Sequence, residues 1–301
     1  MRVVLTGSSG WLGRHLAAAL RADGHGVIGL DRVAGAETQV VGSVADRAAV
    51  DRAFAAGADA VVHAAALHQP DLRTASMQAF VNVNVTGTLH VLEAARAAGC
   101  ARIVLTSSTS PMIDAALSAG AIDTAVFFDE SSGPLAPRNV YGATKLAAEN
   151  LARLFADQAT AITVLRLARF FPEEDSATGA ISGANLKAIE LLHRRLALAD
   201  AVRACQVALG RTAAGFALYL VSAPTPFSRD DAAELKRDAA TVIARCFPDA
   251  PALFAARGWT LPRTLDRVYD ARAIERDLGF RCHTDFAALL DTLRRGGAPV
   301  F

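Results

Sequence analysis

Tyr141-Gly142-Ala143-Thr144-Lys145 sets a phenol and an ammonium four residues apart. On a helix, that spacing puts both side chains on one face. A phenol unaided titrates near ~10, and a cation beside it favours the phenolate. The pair therefore predicts a group that exchanges a proton with a substrate hydroxyl near neutral pH. A solvated Tyr and Lys share this spacing, so the neighbouring hydroxyls matter. Thr106-Ser107-Ser108-Thr109 closes an apolar run upstream. A hydroxyl there, Ser108 first and Thr109 next, can hydrogen-bond a reacting oxygen and polarise a carbonyl.

A second group of residues has phosphate chemistry. Thr6-Gly7-Ser8-Ser9-Gly10-Trp11-Leu12-Gly13 follows one apolar run and opens a segment of helical period. Gly7 suits a tight turn, Gly10 the close approach of a pyrophosphate to the backbone, and Gly13 tight packing of helix on strand. The helix start at Trp11 and Leu12 offers free N–H groups and a partial positive charge. Asp31 ends the next strand, eighteen residues after Gly13. A carboxylate there accepts from ribose hydroxyls and repels a 2′-phosphate, which favours NAD over NADP. Arg32 follows it and keeps NADP open, since a guanidinium pairs with that phosphate. Ser43, Val44 or Asp46 can flank the adenine; Asp46 is equally a helix N-cap before Ala48.

These groups need strands and helices to position them. Strands are expected at Arg2–Leu5, Val27–Leu30, Ala60–His63, Arg102–Thr106 and Ile162–Arg166. Helices are expected at Trp11–Arg21, Ala48–Ala55, Ala79–Ala98 and Tyr141–Asp157. Such alternation predicts an α/β fold, a Rossmann-type doubly wound parallel sheet, with ligands beyond the carboxyl ends of the strands. After about Phe171 the alternation gives way to short helices and loops punctuated by Pro224, Pro226, Pro248, Pro251 and Pro262, with a late helix near Ala271–Leu278. The expected division is a dinucleotide-binding domain over 1–170 and, over 171–301, mainly a smaller C-terminal substrate-binding lobe with some elements returning to the main sheet. Residues 111–128 form a long connection that could shape the substrate mouth.

The ordered set resembles the extended short-chain dehydrogenase/reductase family, the NAD-dependent epimerase/dehydratases, well over about the first 170 residues and weakly beyond. Gly7, Gly10 and Gly13 match its TGxxGxxG. His63-Ala64-Ala65-Ala66 is similar to its fourth-strand segment, which implies that Ala64, Ala65 and Ala66 line the cofactor. Asn84-Val85-Thr86-Gly87-Thr88 matches NVxGT, whose Asn supports the active-site backbone and water. Ser108, Tyr141 and Lys145 match the catalytic residues, and the resemblance also puts Asn84, Thr106, Tyr141, Lys145 and Phe170 beside the cofactor. Glu130 through Tyr141, with Pro134 and Pro137, resembles the approach to the catalytic Tyr.

Three departures concern the substrate. Where members read SSxxVYG, this chain has Ser107-Ser108-Thr109-Ser110-Pro111-Met112-Ile113, and the interval from Ser108 to Tyr141 is long. Where members carry RxxNVYGP, it reads Arg166-Leu167-Ala168-Arg169-Phe170-Phe171-Pro172. Arg169 can clamp a carboxylate or phosphate bidentately, or pair with Glu173 or Asp175. Asn185-Leu186-Lys187 resembles the segment through which nucleotide-sugar enzymes hold a diphosphate. Arg194, Arg195 and Arg267 are anion-binding candidates or solvated charges.

Composition narrows the classes. The chain has 301 residues, 52% of them hydrophobic, enough for a large core. A formal charge of +1 without a basic run argues against nucleic acid. Cys100, Cys205, Cys246 and Cys282 lack metal-ligand spacing and read as buried, reduced thiols. The apolar start is too short for a signal peptide or membrane span, so a cytoplasmic enzyme is expected. The resemblance also implies a homodimer, since the equivalents of helices 79–98 and 141–157 often pair between subunits; burial on the chain's own sheet is the other reading.

Two enzymatic readings follow, with a third of another class. The first is epimerisation of a nucleotide-linked sugar through transient oxidation, with Tyr141 as acid/base. The second is net NAD(P)-dependent oxidation or reduction of a sugar, sugar acid or other secondary alcohol. The third is a non-catalytic NAD-binding regulator, which the intact Ser108, Tyr141 and Lys145 disfavour. Dehydration needs an Asp-Glu pair after the Ser/Thr, where this chain has Ser110 and Pro111.

Overall fold

The apolar runs at the start of the chain become the middle of one sheet. The computed structural model describes residues 1–170, 182–299 and 301. They form two compact units: Met1–Ile113, Leu135–Arg166 and Val202–Tyr219 in the first, Asp114–Pro134, Leu167–Ala201 and Leu220–Phe301 in the second.

The first unit is built on strands β1 (Arg2–Thr6), β2 (Gly26–Asp31), β3 (Val40–Val41), β4 (Ala60–His63), β5 (Arg102–Ser108), β7 (Ala161–Leu167) and β8 (Gly215–Val221). Their order is β3-β2-β1-β4-β5-β7-β8, and the pairings from β3 through β5 are parallel. The order reverses direction beside β1, the place where a doubly wound sheet opens a ligand crevice. Helices α1 (Trp11–Ala22), α2 (Arg47–Phe54), α3 (Met77–Phe80), α4 (Gly87–Ala97), α6 (Val140–Phe155) and α8 (Leu198–Gly210) connect the strands. Val4, Val61, Ile103 and Ile162 of four strands pack with Val50, Val91, Leu92 and Ala152 of three helices in one core. This is the Rossmann-type sheet that the alternation predicts.

One local expectation is corrected. Residues 79–98 are not one straight helix: between α3 and α4 lies a π-helical turn, Val81–Thr86. It turns Asn84 inward, where it is 1% exposed. The sheet also takes a seventh strand, β8, from the part of the chain in which some elements are expected to return to it. β8 is an edge strand, its first four residues only half-buried, and the proline-marked loops that follow it masked its apolar run.

The second unit holds α5 (Ala115–Ser118), α7 (Gly183–Glu190), α9 (Ala232–Cys246), α10 (Ala250–Ala255), α11 (Arg272–Leu278) and α12 (Phe286–Arg294). It also contains a small parallel sheet of β6 (Val126–Phe128) and β9 (Arg267–Tyr269). The connection at 111–128 thus carries elements of its own. Phe254, Phe286, Leu289 and Leu290 anchor a separate core with Leu235, Val242 and Ile243.

All four cysteines are free thiols, and Cys100, Cys205 and Cys282 are buried. Cys246 is exposed at the end of α9, contrary to the expected burial. Among the described residues no group of three or more His, Cys, Asp or Glu could hold a metal ion, and no helix is long and apolar enough to cross a membrane.

Candidate active site

β1 delivers the chain into the glycine turn. Gly7 has φ +77°, and its N–H donates to Leu30 O at 2.8 Å. A Cβ at Gly13 would fall into the Gly7 carbonyl. At Gly10 the nearest atom a Cβ would meet is Gly7 O at 3.2 Å. The protein's own packing therefore demands glycine strongly at position 13 and weakly at position 10, as fits a demand at 10 that comes from a ligand. Gly10 caps α1 without a side-chain hydrogen bond. The first-turn N–H groups of Trp11 and Leu12, which have no intrahelical acceptor, are thus left for an anion. The cradle fits a dinucleotide pyrophosphate.

Asp31 stands at the end of β2 as expected. Its Oδ2 accepts from Ser9 N–H at 3.0 Å and its Oδ1 from Val33 N–H at 2.9 Å. Each oxygen keeps further lone-pair capacity for ribose hydroxyls. Arg32 is exposed. Asp46 takes the capping role, accepting from Ala48 N–H at 3.0 Å. Ser43 Oγ accepts from Ala45 N–H, and the Val44 side chain is 4% exposed in the core, which leaves Val44 only its backbone to offer an adenine.

Between cradle and α6 runs a hydrogen-bond chain whose direction can be derived. Thr88 Oγ1 donates to Asn84 O at 2.7 Å, so its oxygen must accept from His63 Nε2–H at 3.0 Å. His63 Nδ1 is then an acceptor, and Thr6 Oγ1 donates to it at 2.6 Å while accepting from Ala65 N–H at 3.2 Å. Burial pushes the His63 imidazolium down to about 3, with Lys145 adding to the shift, so the ring stays neutral. Ala64 N–H donates to Thr6 O at 3.2 Å, and Ala66 is half-buried in the segment after β4. Asn84 closes the chain: its Oδ1 accepts from Leu67 N–H at 2.8 Å, and its Nδ2 donates to Leu67 O at 2.9 Å and Thr144 Oγ1 at 3.1 Å.

Asn139 caps α6 through Gly142 N–H at 2.9 Å. A Cβ at Gly142 would come within 2.8 Å of Ser110 O. Glycine therefore lets α6 press against the segment after β5, which brings Tyr141 to Ser108. Tyr141 is 9% exposed, tilted against Phe80 with centroids 6.5 Å apart, and Ser108 acts on its phenol. Ser108 Oγ also accepts from Ser110 N–H at 3.1 Å. Thr109 is buried beside it. Lys145 Nζ donates to Thr106 O at 2.6 Å, and Thr106 Oγ1 donates to His63 O at 3.2 Å.

The electrostatics differ from the expected lowering of the phenol. Burial holds Tyr141 above its ordinary value, with Asp71 adding to the rise and only the Ser108 hydrogen bond opposing it. The phenol is therefore protonated at neutral pH, ready to donate to a carbonyl. Burial pulls Lys145 down to about 8, opposed by Glu149. Because the ammonium is lost as pH rises, kcat/KM is expected to bend downward above about pH 8, and a profile of Lys145→Arg should lack that bend.

Spacing alone did not single out several neighbours. Glu149 lies one turn beyond Lys145 and is 3% exposed; it takes Arg166 Nη2 at 2.7 Å and Ser107 Oγ at 2.6 Å. Extending the four-residue step from Tyr141 through Lys145 would have found it. His68 and Asp71 follow β4, where Asp71 acts electrostatically on Tyr141, and Lys145 on His68. No sequence pattern marks them.

In the second unit the buried Glu190 carboxylate gathers Arg169 at 3.2 Å, Arg194 at 3.0 Å and Arg195 at 3.0 Å. Glu173 and Asp175, the other proposed partners of Arg169, lie outside the described residues. Arg267 pairs with Asp266 at 2.9 Å. Lys187 Nζ lies 5.9 Å from the Phe301 ring, and Phe170 is half-buried. Asn185 is committed elsewhere: Nδ2 donates to Thr260 O at 3.0 Å and Oδ1 accepts from Thr260 N–H at 2.9 Å.

Residues 3–207 match the NAD dependent epimerase/dehydratase family. The chain belongs to that family. Its relatives divide by chemistry. A 3-diazoavenalumate denitrifying reductase from Streptomyces sp. is 36% identical over 184 residues, covering 55% of each chain. The UDP-glucose 4-epimerase of Bacillus subtilis is 28% identical over 184 residues, 55% of this chain and 52% of that one. Each of these matches spans about half the length of the curated relative. Among solved structures, a short-chain dehydrogenase/reductase superfamily protein from Agrobacterium tumefaciens with bound NAD superposes with a TM-score of 0.66 at 25% identity, covering 98% of each chain.

Proposed function

We propose that this family member is an NAD-dependent epimerase of a nucleotide-linked sugar, working through a transient keto intermediate. The observation that carries the reading is the buried Tyr141 phenol, acted on by the Ser108 hydroxyl and one helical turn from Lys145. The likeness to a UDP-glucose 4-epimerase supports the sugar, and the bound NAD in the Agrobacterium relative supports the cofactor.

Gly7, Gly10, Trp11 and Leu12 would hold the NAD pyrophosphate, and Asp31 the adenosine ribose. Lys145 and the strand end at Thr106 would hold the nicotinamide half. Bound there, NAD supplies a hydride acceptor that returns the hydride. Tyr141 first gives up its own proton; the phenolate then takes the substrate hydroxyl proton as the carbon is oxidised and returns it to the same oxygen as the carbonyl is reduced. Ser108 hydrogen-bonds that oxygen, and Lys145 stabilises the phenolate that stands before the proton is taken and after it is returned. In the second unit, we assign the substrate's anionic group to Arg169, Lys187, Arg195 and Arg267, with Glu190 orienting the first and third.

The test mixes purified protein with UDP-glucose, UDP-N-acetylglucosamine and UDP-glucuronic acid and follows epimers by NMR without added cofactor. An epimer supports the reading. In a parallel arm with added NAD, steady NADH formation without an epimer replaces it with net oxidation of a sugar or sugar acid, which Arg169 and the reductase relative favour.

We further infer a cytoplasmic homodimer. Four free thiols suit a reducing compartment. On α6, Leu154 is 78% exposed, and on α3 Met77 is 74% exposed, apolar area that a second copy would cover. Leu154→Lys is expected to shift the species seen by light scattering from dimer to monomer; an unchanged mass would remove this interface.

A further inference from the structure

The cradle is fastened from outside by the loop between β2 and β3. Ser9 Oγ donates to Val33 O at 2.8 Å. Its only proton is thereby used, so the 2.7 Å contact between Ser9 Oγ and Thr38 Oγ1 must be a donation by Thr38. Thr38 has then spent its proton, and the 2.7 Å contact with Ser8 Oγ must be a donation by Ser8. One directed chain results, from the fully buried Ser8 through Thr38 and Ser9 to the Val33 carbonyl.

The backbone of the loop is shaped for this reach. Thr38 N–H donates to Gly35 O at 3.0 Å, and Gln39 N–H to Gly29 O at 3.0 Å. Gln39 Oε1 accepts from Gly29 N–H at 2.7 Å. A Cβ at Gly35 would come 2.5 Å from Ser9 Oγ, and one at Gly29 would fall into the Glu37 carbonyl. The loop therefore lies directly on the strand and on the cradle. Asp31 makes a second fastening between the same two segments, through Ser9 N–H and Val33 N–H.

We propose that Thr38 is a positioning residue for the phosphate cradle: its single hydroxyl fixes the side chains of Ser8 and Ser9 and so holds the turn from Gly7 to Leu12 in the form that receives the pyrophosphate. This rests on the reading of that turn as the NAD cradle. Both serine side chains are turned toward the loop, which leaves the first-turn N–H groups of α1 to the ligand. A preformed cradle loses less ordering entropy on binding. Thr38 acts on the part of the cofactor that NAD and ADP-ribose share, so both ligands should respond alike.

The experiment measures Kd for NAD and for ADP-ribose by calorimetry, with Tm recorded in parallel, on the full chain and on Thr38→Val and Thr38→Ser. Removing both hydroxyl bonds in Thr38→Val should weaken NAD and ADP-ribose together by about tenfold, with Tm little changed. Thr38→Ser, which restores the donor and acceptor, should return both within about twofold of the original protein. Unchanged affinities in Thr38→Val would overturn the proposal. Equal losses in both variants with falling Tm would also overturn it, since they would report general loosening. A starting protein that binds neither ligand would sink the NAD reading itself, and the proposal with it.

Discussion

Tyr141→Phe is expected to lower turnover by about 10²–10⁴-fold, the usual contribution of a positioned acid/base, while the Kd for NAD changes less than about twofold. The ring of Tyr141 packs on Phe80 and is 9% exposed, and Phe keeps that packing. Only the hydroxyl and its interaction with Ser108 disappear. Stopped-flow turnover with whichever UDP-sugar proves competent, together with calorimetry for NAD, separates the two effects. Retained turnover would remove the proton-transfer assignment. Lost NAD binding would show that the phenol serves the cofactor instead.

Glu149→Leu is expected to destabilise the fold by about 3–5 kcal/mol, the cost of leaving a buried charge without its partner. Arg166 and Glu149 are 5% and 3% exposed and meet at 2.7 Å, and Arg166 Nη1 already has no hydrogen-bond partner. The double variant Glu149→Leu/Arg166→Met removes both charges and should recover most of the loss. Urea unfolding of the two singles and the double measures the coupling; additive losses would mean the pair is not energetically linked. Glu149 also opposes the effect of burial on Lys145. In Glu149→Gln the downward bend in kcat/KM should therefore move below about pH 8.

Much of this site was legible from local rules. Tyr141 and Lys145 declare themselves by helical spacing, and the glycines by their place between a strand and a helix. Ser108 follows from lying at a strand end. What stayed hidden depends on contacts distant in sequence. The π-turn at Val81–Thr86 exists because Asn84 reaches Leu67 and Thr144, and no periodicity announces a one-residue shift inside a helix. The phenol was read as acidified because its neighbour in sequence is a lysine. In the fold that ammonium is aimed at Thr106 O, and burial of the phenol dominates. Thr38 is invisible to motif reading because its partners are 29 and 30 residues away. Asn185, read as a diphosphate contact by resemblance, instead staples Thr260.

The path of the backbone bears on how this protein could be re-engineered. The chain passes from one unit to the other after Ile113, Pro134, Arg166, Ala201 and Tyr219. Grafting the second unit of a relative by a single crossover would therefore exchange parts of both. A chimera that keeps each unit intact must splice at all five positions at once. Recombination libraries built on this scaffold should be designed around those junctions rather than around one midpoint.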